Sequence, residues 1–339
     1  LQPLNNNTLM DPFIWMIILI VFALSFDFLN GFHDSANIVA TIISSRSMSG
    51  RNALTMAALA DFAGPFIFGV AVAKTIGSGI AIPEFITIEV LVAALVSACI
   101  WNLVTWYFGI PSSSSHALIG GLVGAVLIGG GVHALLSKGL IKIFIALLFS
   151  PLIGLFFGWL TMKLTHRLLR KATPKANYFF KLGQIPTAIA LALSHGANDA
   201  QKTMGVITLG LVITGYQTQF VVPFWVIIIS ASAISLGTFS GGWRLIKTLG
   251  SKFYKIRPIH SFTSQFASAI VIITASLFGG PVSTTQVVSM SIMGAGAGER
   301  LSKVRWLVLK DIFLSWILTI PITAILSVAI YLLIRFLVH

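Results

Sequence analysis

The sequence predicts an all-α polytopic membrane protein built from two inverted-topology repeats, with broken or re-entrant helices and about 10–12 membrane segments. Three observations predict it. First, 56% of the 339 residues are hydrophobic and only 9% are charged, with a mean hydropathy of +0.95; soluble domains carry about 25% charged residues. Second, "GFHDSAN" at 31–37 and "GANDAQK" at 196–202 place Gly-x-x-Asp twice inside long apolar runs. Third, the basic loops switch sides between the two halves.

Taken in order, the apolar runs are 12–45, 53–73, 85–109, 113–131 and 140–162, then 183–214, 222–243, 259–280, 282–297 and 308–337. About 20 helical residues cross a bilayer. The first and sixth runs exceed 30 residues, and both hold the Gly-x-x-Asp stretch. Each is therefore expected to break, tilt or continue as a surface helix. Thirty glycines and 25 phenylalanines suit helices packed closely in lipid. The hydrophilic stretch 163–182, with Lys163, Arg167, Arg170, Lys171, Lys175 and Lys181, reads as a cytoplasmic linker. It separates an N-terminal repeat (1–162) from a C-terminal repeat (183–339).

Three matches in the same order argue for duplication. Asp34 aligns with Asp199 at an offset of 165. "AKTIG" at 73–77 aligns with "IKTLG" at 246–250 at 173, and "FGIPSSSSH" at 108–116 with "FGGPVSTTQ" at 278–286 at 170. Loop charge then sets orientation. Loop 46–51 has Arg46 and Arg51, while loop 215–220 has no charge. Loop 74–84 has only Lys74 as a base, beside Glu84, while loop 244–257 has Arg244, Lys247, Lys252, Lys255 and Arg257. By the positive-inside rule equivalent loops face opposite sides. Five segments per half agree, and both termini are expected outside the plasma (inner) membrane.

Several classes are set aside. The net charge of +13 falls in short loops, with no basic domain or aromatic platform, so no nucleic-acid partner is read. Cys99, the single cysteine, allows no internal disulfide. His33, His116 and His195 come without thiolates or tight spacing, so no dedicated metal site is read. No nucleotide-binding motif of the Gly-x-x-x-x-Gly-Lys-Ser/Thr type occurs. The polar N-terminus, with Asp11 its only charge before the first run, does not read as a signal peptide. Ser115 and His116 are adjacent in sequence, which suits a nucleophile–base pair poorly, so no enzyme is read.

Two constellations carry the chemistry. Asn30, His33, Asp34, Ser35 and Asn37 cluster in the first copy; Ser194, His195, Asn198, Asp199, Gln201 and Lys202 cluster in the second. Such clusters beside Gly31 and Gly196 favour an interrupted helix that binds cations. Intramembrane carboxylates are costly, so a duplicated aspartate points to function. The second constellation is "PSSSSH" at 111–116 and "PVSTTQ" at 281–286. Proline opens a helix readily, and the free N–H groups and hydroxyls that follow make an anion site at the positive helix end. A carboxylate beside an anion is repulsive unless Na⁺ or H⁺ intervenes, which suggests coupling. A carboxylate can also accept from the P–OH of phosphate, which sulfate lacks.

"GFHDSAN", "GANDAQKTMG", "PSSSSHALIGG" and "PVSTTQ" resemble the inorganic phosphate transporter family, of the bacterial low-affinity phosphate permease type, across essentially the whole chain. The resemblance implies secondary active phosphate import by Na⁺ or H⁺ symport, through an inverted-repeat fold that is commonly a homodimer, with no cofactor. It implies phosphate contacts from Asp34, Ser113, Ser114, Ser115, Asn198, Asp199, Gln201, Ser283, Thr284 and Thr285. It implies a coupling-ion set of Asp34, Asn37, Asn198 and Asp199, to which His33 and Lys202 are candidate additions. Phe32-His33 replaces the Ala-Asn of sodium-coupled members and is similar to permeases linked to proton coupling and metal–phosphate transport. Sulfate or another oxyanion on the same fold, and a passive anion channel, are the alternatives. Lys202 is open among anion contact, pairing with Asp199 and snorkelling. Asp27 and Asp61, whose repeat positions hold Ala192 and Ile234, are open between coupling and interhelical bonding. His116, paired with Gln286, reads as polar packing, and Trp101 and Trp106 as packing or interface residues.

Overall fold

The computed structural model describes residues 11–171, 173, 175–251 and 253–338. Lys252 and the extreme termini, used above for orientation, lie outside the described residues. The first half holds α1 (Pro12–Ser44), α2 (Gly50–Phe68), α3 (Ala71–Gly79), α4 (Ile88–Phe108), α5 (Ser114–Gly130) and α6 (Ser137–Leu168). The second holds α7 (Ala176–Ile213), α8 (Phe224–Ser240), α9 (Trp243–Ser251), α10 (Pro258–Leu277), α11 (Thr284–Glu299) and α12 (Trp306–Val338). Among the described residues the only β pairing is one isolated bridge, Ala81 to Leu135.

The halves interlock. The α2–α3 pair packs on α7, and the α8–α9 pair packs on α1. Likewise α12 covers α4 and α5, while α6 covers α10 and α11. One apolar cluster takes Trp15 to Phe26 of α1 and Ala200 to Leu211 of α7. Another takes Ala36 to Ile42 of α1 and Ala188 to Ala192 of α7. The two helices therefore cross from one cluster to the other in opposite directions, as inverted repeats require. The polar motifs fall between the clusters.

The expected interruption of the two long helices is corrected. α1 (33 residues) and α7 (38 residues) run unbroken through Gly-x-x-Asp. Their glycines serve close approach instead: a Cβ on Gly31 would overlap the Ile234 carbonyl oxygen, and one on Gly196 the Asp61 carbonyl oxygen. Small residues let helix backbones meet in this way.

Breaks occur elsewhere. α2 and α3 meet at 76°, and α8 and α9 at 69°. Each joint has a left-handed glycine, Gly69 at φ +77° and Gly241 at φ +71°, where a side chain would be strained.

Among the described residues five helical stretches, in α1, α4, α6, α10 and α12, are long and apolar enough to cross a membrane, or up to seven spans if each bent pair counts as one. The sequence reading counted ten. α7 and α11 face protein over most of their length, so their sequences can be polar without meeting lipid.

Candidate substrate and ion site

Two helix starts face the polar layer. Ser113 caps α5, its Oγ accepting from His116 N at 3.2 Å, and Ser283 caps α11, its Oγ accepting from Gln286 N at 3.3 Å. Pro111 and Pro281 thus precede the caps rather than open the helices. The cap hydroxyls serve their own helices, and the next pairs, Ser114–Ser115 and Thr284–Thr285, point inward, Ser115 Oγ donating to the Val282 carbonyl at 2.9 Å.

Both central carboxylates converge on α11. Thr284 Oγ1 lies 3.1 Å from Asp34 Oδ2 and 2.9 Å from Asp199 Oδ2. Thr285 Oγ1 donates to Asp34 Oδ1 at 2.8 Å and accepts from Asn37 Nδ2 at 3.1 Å. Lys202 Nζ bonds Asp199 Oδ1, Ser115 Oγ at 2.6 Å and the Val282 carbonyl at 3.1 Å. An ammonium has three donors, so all are used. Lys202 is fully buried and points into this layer, not out to an interface. Ser114 Oγ is buried with no hydrogen-bond partner. Asp34, Asp199, Lys202 and Thr284 are each at most 1% exposed, so the layer is sealed from water.

Histidine completes the cluster. His195 Nε2 lies 3.2 Å from Asp199 Oδ2 and 3.6 Å from Asp34 Oδ2, poorly aligned for hydrogen bonding. Its Nδ1 is 2.8 Å from Asp61 Oδ1, and Asp61 Oδ2 accepts from Thr238 Oγ1 at 2.6 Å. Asp61 so fixes the ring, the arrangement that orients metal-binding histidines. Ligand atoms of Asp34, His195 and Asp199 all lie within 4.8 Å of one another, a set that fits a cation. The sequence reading placed His195 in the second polar cluster but in neither the phosphate set nor the coupling set. The usable signal was its i−4 spacing from Asp199, which puts both on one helix face.

Other expected residues lie around this centre. His33 sits between Asp34 Oδ1 (3.2 Å) and Thr105 Oγ1 (3.5 Å). Asn198 bonds Ser276 Oγ at 2.9 Å and the Gly280 carbonyl at 3.2 Å, and accepts from Val282 N at 3.3 Å. It therefore ties α7 to the loop that presents α11. Gln201 is a correction. Its Oε1 accepts from Val72 N at 2.7 Å and Ala73 N at 3.3 Å, so its amide caps α3 instead of facing the layer. Ser35 does the same for α9, accepting from Gly242 N at 2.8 Å.

Comparison with known proteins follows the same lines. The model of the phosphate transporter family matches residues 30–327. A probable low-affinity inorganic phosphate transporter of Rhizobium meliloti (strain 1021) is 45% identical, over 92% of this chain and 94% of its own length. One from Bacillus subtilis (strain 168), with the same name, is 42% identical over 93% and 96%. A solved structure, described as the sodium-dependent phosphate transporter, superimposes with a TM-score of 0.84 at 25% identity, covering 95% of this chain and 99% of that one.

Proposed function

The chain belongs to the phosphate transporter family, and from that premise we propose that it imports inorganic phosphate by cation symport, binding it between the starts of α5 and α11. One observation carries the reading: Asp34 and Asp199 occupy the Thr284 and Thr285 hydroxyls that an anion at the α11 start would need. Carboxylate and phosphate oxygens then compete for the same donors. A cation among Asp34, His195 and Asp199 neutralises the carboxylates and releases the hydroxyls to the substrate. Co-ion and phosphate thereby favour each other's binding, and thermodynamic linkage makes that reciprocal.

On the α5 side, Ser114 offers a hydroxyl with no partner, and Lys202 and Ser115 flank it. The first N–H groups of each helix and its dipole add to the attraction. Asp34 or Asp199 can accept from a P–OH, which favours phosphate over sulfate. Access then alternates around this fixed layer, with the basic linker on the cytoplasmic side.

The deciding experiment is uptake of labelled phosphate into proteoliposomes under an inward Na⁺ gradient and, separately, an inward H⁺ gradient. Accumulation under one of them identifies the co-ion. Equilibration without accumulation under both would replace symport with a channel.

A further inference from the structure

A third carboxyl lies on α1, two turns before Asp34. Asp27 is 0% exposed, and its repeat position holds Ala192, so only one half has it. Its Oδ1 accepts from Thr203 Oγ1 at 2.5 Å. Its Oδ2 has no hydrogen-bond partner. Neither has Asn30 Oδ1, one turn along the same face of α1, nor Ser230 Oγ, which faces the carboxyl from α8.

Two of these three buried oxygens are acceptors only, and the single hydroxyl proton of Ser230, which faces Asp27, can serve just one of them. Buried acceptors without donors are costly and need an explanation. The neighbouring charges do not supply one. From α7, Asp199 adds like charge, and Lys202 has spent its three donors on Asp199, Ser115 and Val282. From α4, Cys99 adds no cation, and α8 has no titratable residue. Hard metal cations gather about six oxygens, more than these side chains offer. A proton needs one: on Oδ2 it turns an acceptor into a donor for Ser230 or Asn30. Asn30 also reaches inward, its Nδ2 3.5 Å from Asp199 Oδ2, so one side chain joins Asp27 to the central layer.

We propose that Asp27, surrounded by Thr203, Ser230 and Asn30, is a proton-binding site separate from the Asp34–Asp199 pair, and that its proton moves with the substrate. The inference rests on the transport reading above. The proton comes from water on the side where phosphate enters, forms an O–H bond at Oδ2, and returns to water on the side where phosphate leaves. Neither Asp27 oxygen takes part in holding the anion.

The test uses the purified full chain and an Asp27→Asn variant in proteoliposomes. Phosphate–phosphate exchange is measured without a gradient, and accumulation under an inward H⁺ gradient. The variant is expected to keep exchange, lose H⁺-driven accumulation and lose the pH dependence of half-saturating phosphate. Accumulation at the wild-type level would overturn the proposal. If Asn also abolishes exchange, Asp27→Glu decides: recovery with a displaced pH profile supports a proton site, while an unchanged profile or no recovery overturns it. Wild-type accumulation under Na⁺ alone overturns it while leaving phosphate transport standing. A wild type that moves no phosphate removes the transport reading itself.

Discussion

Lys202 occupies the repeat position of Asn37, and the two side chains make the same bond in opposite halves. Asn37 Nδ2 donates to Thr285 Oγ1 at 3.1 Å, and Lys202 Nζ donates to Ser115 Oγ at 2.6 Å. Ser115 and Thr285 are themselves repeat partners. A duplicated hydrogen bond thus carries a full charge on one side only. That charge is what pairs with Asp199.

Removing it leaves a buried carboxylate without its counter-ion, a change that costs about 3–5 kcal/mol where one member of a buried pair is deleted. Lys202→Met is therefore expected to lower thermal stability in detergent markedly. Adding Asp199→Asn should restore most of the loss, because neither charge is then buried, but should not restore concentrative uptake. A double variant no more stable than the single one would show that the pair is not what holds α7 in place.

Asp34→Asn and Asp199→Asn keep the shape of the layer and remove its charge. Both variants are expected to elute as folded protein in size-exclusion chromatography and to lose accumulation of phosphate against a gradient. Wild-type accumulation by both would take the coupling role from these carboxylates.

The two helix starts should respond differently to loss of a hydroxyl. Ser114 Oγ has no partner within the protein, so Ser114→Ala should leave stability unchanged. Thr284 Oγ1 serves two carboxylates, so Thr284→Ala should also destabilise, since a hydrogen bond to a charged group contributes about 1.5–3 kcal/mol. Each loss should raise half-saturating phosphate by about tenfold or more, tenfold corresponding to about 1.4 kcal/mol. Unchanged half-saturation in both would move the anion site away from the helix starts.

Outside the polar layer, Glu299 at the end of α11 accepts from Arg257 and His260, each at 2.5 Å, and from Lys303 at 2.6 Å. Burial raises its carboxyl, but bonds from Lys303, His260 and Arg257 outweigh that and hold it at about 2, below its ordinary 4.5. A folded value below the unfolded one stabilises the fold above pH 4.5, and the contribution is lost as pH falls toward 2. Melting temperature should therefore drop between pH 6 and pH 3, and the slope should flatten in Glu299→Gln. An equal slope in the variant would assign the acid sensitivity to other groups.

The sequence by itself determined the class, the duplication and the residues at its centre. Those signals are local or periodic. Charge depletion reports the lipid solvent, and a carboxylate within an apolar run is too costly to persist without use. Asp34 and Asp199 were legible for that reason, Thr284 and Thr285 from the hydroxyl-rich helix start after Pro281, and the four meet as hydrogen-bonded neighbours.

Tertiary structure decided which polar groups face one another, and that depends on partners far away in the chain. Gly31 and Gly196 read as helix breakers but serve helix crossings, because the carbonyls of Ile234 and Asp61 approach them from other helices. Gln201 sits two residues from Asp199 yet turns away, since the start of α3 packs on α7 and needs an acceptor there. His195 shares a helix face with Asp199, but Asp61 of the other half is what holds its ring. Asp27 is distinguished by an unbonded Oδ2 brought beside Asn30 Oδ1 of α1 and Ser230 Oγ of α8. Burial makes each of these polar contacts obligatory, and only the packing of distant segments specifies which contact satisfies which group.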